Sequence, residues 1–183
     1  MTSIAHGHGS SAVSGATRAA VTAETATRYL FAGLRFALGW VFLWAFADKV
    51  FGLGYATKSA SSWLNGGHPT KGFLTGAKGP FAGFYHSIAG AAWADWLFMI
   101  GLAAIGIALI AGIGMRIAAG AGALLLVMMW SAVLPPAQNP FMDDHLIYAG
   151  LIVVLALAGA GDTLGLGRRW GSTELVRRAP WLK

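Results

Sequence analysis

The sequence predicts an all-α integral membrane protein: a four-transmembrane-helix bundle, N-in and C-in, with a long outer loop between helices one and two. Three observations predict it. Of 183 residues, 56% are hydrophobic and only 11% charged, with a mean hydropathy of +0.62, which is more apolar than a water-facing surface allows. The excess is concentrated in Tyr29–Phe51, Trp96–Gly114, Ile117–Leu134 and Leu146–Gly161. Each approaches the length that crosses about 30 Å of hydrocarbon. None alternates apolar with polar residues as a barrel strand does.

Residues 1–27 are small and polar, with no apolar core segment, and read as a disordered tail rather than a cleavable signal peptide. His6 and His8 fall in it; a mobile His-x-His pair lacks the fixed ligand set of a metal site. The membrane domain spans 28–165, with helices expected at about 28–51, 93–114, 115–134 and 143–161. Residues 52–92 are too long for a plain connection. They hold Trp63, Phe73, Phe81, Phe84 and Tyr85, so this segment is expected to fold back as a cap over the bundle end. His68 and His86, inside it, read as surface or interface histidines. Residues 166–183 mix Arg168, Arg169, Arg177 and Arg178 with Trp170, Leu175 and Trp181, the composition of a basic interfacial tail.

Lys and Arg set the orientation. With both termini cytoplasmic, Arg18, Arg28, Arg116, Arg168, Arg169, Arg177, Arg178 and Lys183 lie inside, and Lys58, Lys71 and Lys78 lie outside. That bias places the chain in the cell membrane as a multi-pass protein by the positive-inside rule. The net charge of +6 then reflects topology and contact with anionic membrane lipid; no aromatic-basic groove points to nucleic acid. The absence of cysteine excludes a thiol nucleophile, a disulfide relay, CxxCH haem attachment and a Cys-ligated iron–sulfur cluster. No metal site is indicated.

In this topology Asp48, Lys49, Asp95, Asp143, Asp144 and His145 share the outer end. Asp143 can cap the last helix while Asp144 meets its positive dipole end. A second reading makes these groups a polar site, because ionisable residues at membrane depth tend to face a cavity or each other. Tyr148 stands one turn beyond Asp144. On helix one, Phe36, Trp40, Trp44 and Asp48 recur every four residues, a stripe of flat rings that suits a flat amphipathic molecule such as a quinone headgroup. Small residues recur beside it at Gly33, Ala37 and Ala45, then at Ala104, Ala108 and Gly112, and at Ala118 and Gly122, positions expected to let helices approach closely. Arg35 and Arg116 read as structural charges, Arg35 snorkelling or pairing with Asp162 and Arg116 anchoring the inner face.

The stretches "LRFALGWVFLWAFADKVFGLGYA", "WLNGGHPTKGFL", "DWLFMIGLAAIGIALIAGIGMRIAA" and "LPPAQNPFMDDHLIYAGLIVVLALAGAG" resemble the DoxX/DoxD family over about residues 28–170. The family includes the large subunit of thiosulfate:quinone oxidoreductase. The resemblance implies a membrane subunit of a quinone-linked redox system, with quinone as cofactor and a partner subunit or redox protein. Asp144, His145, Asp143 and Asp48 are the candidate catalytic groups, and Trp40, Trp44, Lys49, Asp95 and Tyr148 the candidate quinone contacts. Without cysteine, thiosulfate would bind as an anion, on this chain or on a partner. The alternative is a non-catalytic scaffold that docks a redox or oxidative-stress partner.

Overall fold

The computed structural model describes residues 9–183, with side chains from residue 20 onward. All regular structure among the described residues is helical. Helix α1 runs Gly9–Phe51, α2 Lys71–Thr75, α3 Ala82–Ile88, α4 Ala92–Ala111, α5 Met115–Ala132, α6 Asp144–Leu157, α7 Gly167–Gly171 and α8 Glu174–Arg178. Three helices are long and apolar enough to cross a membrane: Ala20–Phe51 within α1, α4 and α5. Their outward residues include Trp40, Trp96, Leu97, Ile100, Ile107 and Leu124, all exposed. Such surfaces mark a membrane protein.

Two boundaries differ from the sequence reading. Helix α1 begins at Gly9, so residues 9–27, expected as a tail, continue the helix; His6 and His8 lie outside the described residues. Helix α6 ends at Leu157 because Gly159 takes a left-handed conformation at φ 64° ahead of a single 3-10 turn, Ala160–Asp162. Its 14 residues reach about 21 Å, less than a full hydrocarbon span.

Neighbouring helices in the bundle are antiparallel. A Cβ at Gly39 would stand 3.0 Å from Leu109 and Ile110, and one at Gly106 would stand 2.7 Å from Leu43. A Cβ at Gly122 would meet Ile152 at 2.6 Å. Close approach therefore uses Gly39, Gly106 and Gly122. Gly33, with nothing within 4 Å, and the exposed Ala37 and Ala104 do not serve it. The core between the helices is built from Leu38, Phe42, Met99, Leu102, Leu109, Leu126, Ile152 and Leu155.

Arg35 closes one end of the bundle. It has no exposed surface. Its guanidinium donates to the carbonyls of Leu109 and Ile110 at the end of α4 and to those of Thr163 and Leu164 after α6, at 3.3 and 3.0 Å. This corrects the expected pairing with Asp162, whose carboxylate instead accepts from Lys183 Nζ at 3.4 Å. The last carbonyls of a helix lack intrahelical donors, and a planar five-donor fork can serve several at once. Arg116 is also structural: it donates to the carbonyl of Pro180 at 3.0 Å, and its backbone N–H donates to that of Lys183. The C-terminal segment folds back on this end, with Val176 buried and Trp170 donating to the carbonyl of Leu182.

Replacing Arg35 by Met strips four carbonyls, buried or part-buried, of this donor. A loss of about 3–5 kcal/mol is expected, read as a lowered melting temperature in lipid nanodiscs. Arg35→Lys should recover only part of it, because an ammonium cannot span both segments.

Candidate functional site

The end of the bundle opposite Arg35 gathers the C-terminus of α1, the N-terminus of α4, the C-terminus of α5 and the N-terminus of α6. Asp48, Lys49, Asp95, Asp143, Asp144 and His145 all stand there. Their hydrogen bonds do not join them into one nest. They form three separate sets, each bound to its own piece of chain.

Asp48 is 1% exposed and accepts from the backbone N–H groups of Tyr55 and Ala56 at 3.3 and 3.0 Å. It pins the chain leaving α1. Asp95 is 2% exposed and accepts from the backbone and hydroxyl of Thr70 at 2.9 and 2.7 Å and from Nδ1 of His68 at 2.8 Å. That clamp fixes the long connection against the first turn of α4. Sequence reasoning set His68 aside as a surface residue and did not single out Thr70. No residue spacing pairs positions 25 and 27 apart with Asp95, so only the fold could show the contact.

At α6 both readings of the Asp-Asp-His stretch hold in part. Asp143 is the N-cap, accepting from the N–H of Leu146 at 3.4 Å. Its other oxygen takes Nδ1 of His145 at 2.6 Å, which orients the ring and leaves Nε2 without a protein partner among the described residues. Asp144 is exposed and stands 3.7 Å from Nδ1 of His145. Tyr148 packs half-buried against the core.

Trp40 and Trp44 of the α1 stripe do not line the cavity described below. Trp40 and Trp44 stack at 5.7 Å, and Trp44 meets Tyr55 edge-on at 5.1 Å. The main cavity lies on the other side, between α4, α5 and the connection, and Lys49 is the α1 residue that lines it.

This cavity measures about 340 Å³, within the usual range for small-molecule sites. Phe98, Gly101, Ile105, Leu125 and Met129 form its helical wall, and Phe73, Leu74 and Tyr85 form the wall supplied by the connection. The expected cap is therefore present, as a wall rather than a cover. Tyr85 is held by its hydroxyl, which donates to the carbonyl of Met128 at 2.9 Å and lies 2.5 Å from Oγ of Ser131. The hydroxyls of Thr70 and Tyr85 are thus committed to the protein. Lys49 is the one charged residue in the lining. Its Nζ stands 5.8 Å from the ring centroid of Phe98, and no carboxylate among the described residues forms an ion pair with it. Asp48 attracts it through space but spends its hydrogen bonds on the backbone.

Comparison with protein-family models, with curated proteins and with solved structures finds no match for this chain.

Removing the Asp95 carboxylate should free the connection. With Leu74→Cys as the only thiol in a chain that has none, a water-soluble maleimide is expected to react at least about tenfold faster after Asp95→Ala, the factor that 1.4 kcal/mol of lost clamping gives.

Proposed function

We propose that the chain is a DoxX/DoxD-type membrane subunit of a quinone-linked redox system, with the quinone headgroup in the cavity beside Lys49. The observation that carries this is a largely apolar cavity at one bundle end whose single charged group is an ammonium. A quinone needs an apolar bed and one or two donors to its carbonyl oxygens. Lys49 supplies a charge-assisted donor, worth more where water is excluded.

Reduction to the quinol takes two electrons and two protons. The electrons come from a partner subunit or redox protein that handles thiosulfate or another reduced donor, because a chain without cysteine cannot carry sulfur as its own persulfide. Protons enter from the water at this end, where the Asp143–His145 pair, outside the cavity lining, has Nδ1 held by the carboxylate and Nε2 free to pass protons on through water. Asp144, exposed beside it, connects the pair to water.

In this reading the bundle crosses the membrane four times with both termini inside. Helix α6 completes its crossing with the 3-10 turn that follows, which Gly161 seats against Gly112 and Met115 of the α4–α5 junction. Lys58→Cys and Asp144→Cys are therefore expected to react with an impermeant thiol reagent from the outer side, and Arg116→Cys and Arg177→Cys only after the membrane is opened. Labelling of 58 and 144 from opposite sides ends the topology.

Quinone should be extracted with the protein from its own membranes and identified by mass spectrometry. In nanodiscs, Lys49→Met is expected to weaken binding of a short-tailed quinone by about tenfold or more. His145→Ala should leave binding intact and slow quinone reduction by about a hundredfold or more. Protein that carries no quinone and binds none in titration removes this function.

A further inference from the structure

Lys49 does more than offer a donor to a neutral carbonyl. It is half-buried with its Nζ over the Phe98 ring, and the hydroxyls of Thr70 and Tyr85, which share the lining, are occupied elsewhere. An ammonium in apolar surroundings without an ion pair is costly, and an anion brought to it offsets that cost. From Ala94 to Ile105 the lining follows α4 for about 16 Å at a helix rise of about 1.5 Å per residue, and apart from Lys49, the committed hydroxyls and the indole of Trp93 it is apolar. The shape is a narrow apolar slot with one positive charge at its polar end. Trp93, Leu97, Leu124 and Met128 are exposed members of the lining, so the slot opens sideways on the helix surfaces that face lipid.

We infer that this cavity binds a membrane-dissolved anionic single-chain amphiphile, a long-chain carboxylate, with its head on Lys49 and its chain along α4 and α5. The inference shares the cavity with the function proposed above but does not need its redox chemistry. Charge complementarity selects the occupant. A neutral chain gains the apolar walls alone, and a carboxylate gains the walls and the ammonium. A water-soluble anion gains only the ammonium and must leave its hydration behind.

The test compares a photoreactive diazirine-bearing long-chain carboxylate with its methyl ester, using the full chain in nanodiscs of zwitterionic lipid and mapping adducts by mass spectrometry. Cavity peptides from α4, α5 and residues 66–88 are expected to take the carboxylate at least about tenfold more than the ester. Lys49→Gln should abolish that preference and Lys49→Arg should keep it. Gly101→Phe, at a position where a Cβ meets only Leu125 at 3.9 Å, should fill the slot and reduce labelling by both probes. Equal labelling of the unaltered protein by acid and ester overturns the inference, as does a preference that survives Lys49→Gln. A quinone competition separates the two readings. Carboxylate binding that quinone cannot displace supports this inference and counts against the quinone site; quinone binding without carboxylate binding does the reverse.

Discussion

A buried cation in an apolar bundle must find its hydrogen-bond partners inside the chain, and that requirement organises both ends of this molecule. Arg35 meets it with both terminal nitrogens, while its Nε has no partner among the described residues. Its donors reach the end of α4 and the segment after α6, which joins the first helix to chain that follows it by more than seventy residues. Those carbonyls would otherwise be unsatisfied where little water reaches. The glycines nearby belong to the same solution: a Cβ at Gly112 would stand 2.8 Å from the carbonyl oxygen of Gly161 and 3.2 Å from Nη1 of Arg35. The guanidinium and the tight crossing are one device.

At the other end the same requirement falls on carboxylates, and the outcome is divided. Asp48, Asp95 and Asp143 each accept backbone N–H groups from a segment that would otherwise fray: the chain leaving α1, the start of the cavity wall, and the first turn of α6. Charge-assisted bonds of this kind are among the stronger ones a protein makes. They explain why the aspartates gather here without forming one shared site. Lys49 is what remains when each aspartate has been used.

The apolar periods of α1, α4 and α5 were legible from composition and length, because crossing hydrocarbon imposes a long uncharged run on a sequence. The gathering of acids at one end followed from alternation of direction alone. What could not be read was which atoms each acid holds. Asp95 with His68 and Thr70 is a contact across 25 to 27 residues of irregular chain, and no helical or strand period carries such a signal. Trp40 and Trp44 form the stripe that was expected to meet a ligand, and they do not line the cavity beside Lys49; periodicity gives a face but not what the face meets. Of the expected glycine contacts, those at Gly112 and Gly122 are present and the one at Gly33 is not, for a related reason. Gly33 and Gly39 fall on the helix with equal plausibility, and only the position of α4 decides that Gly39 is the one beneath Leu109.

The contrast between these two cations of α1 decides where function belongs. Arg35 and Lys49 lie 14 positions apart on the same helix, about 21 Å along its axis. One is enclosed, bonded to four carbonyls through its terminal nitrogens and fitted by glycines that admit no larger residue. The other is half-exposed, faces an open slot, and has an aromatic ring and a preoccupied aspartate for neighbours. A residue that served only packing at position 49 would be better as Leu or Met, since a buried charge is a poor way to gain stability. The structure already shows, at Arg35, how this chain neutralises a cation it needs for architecture. Lys49 lacks that treatment, and an unsatisfied charge beside an apolar slot is the arrangement a ligand of opposite or polarisable head completes.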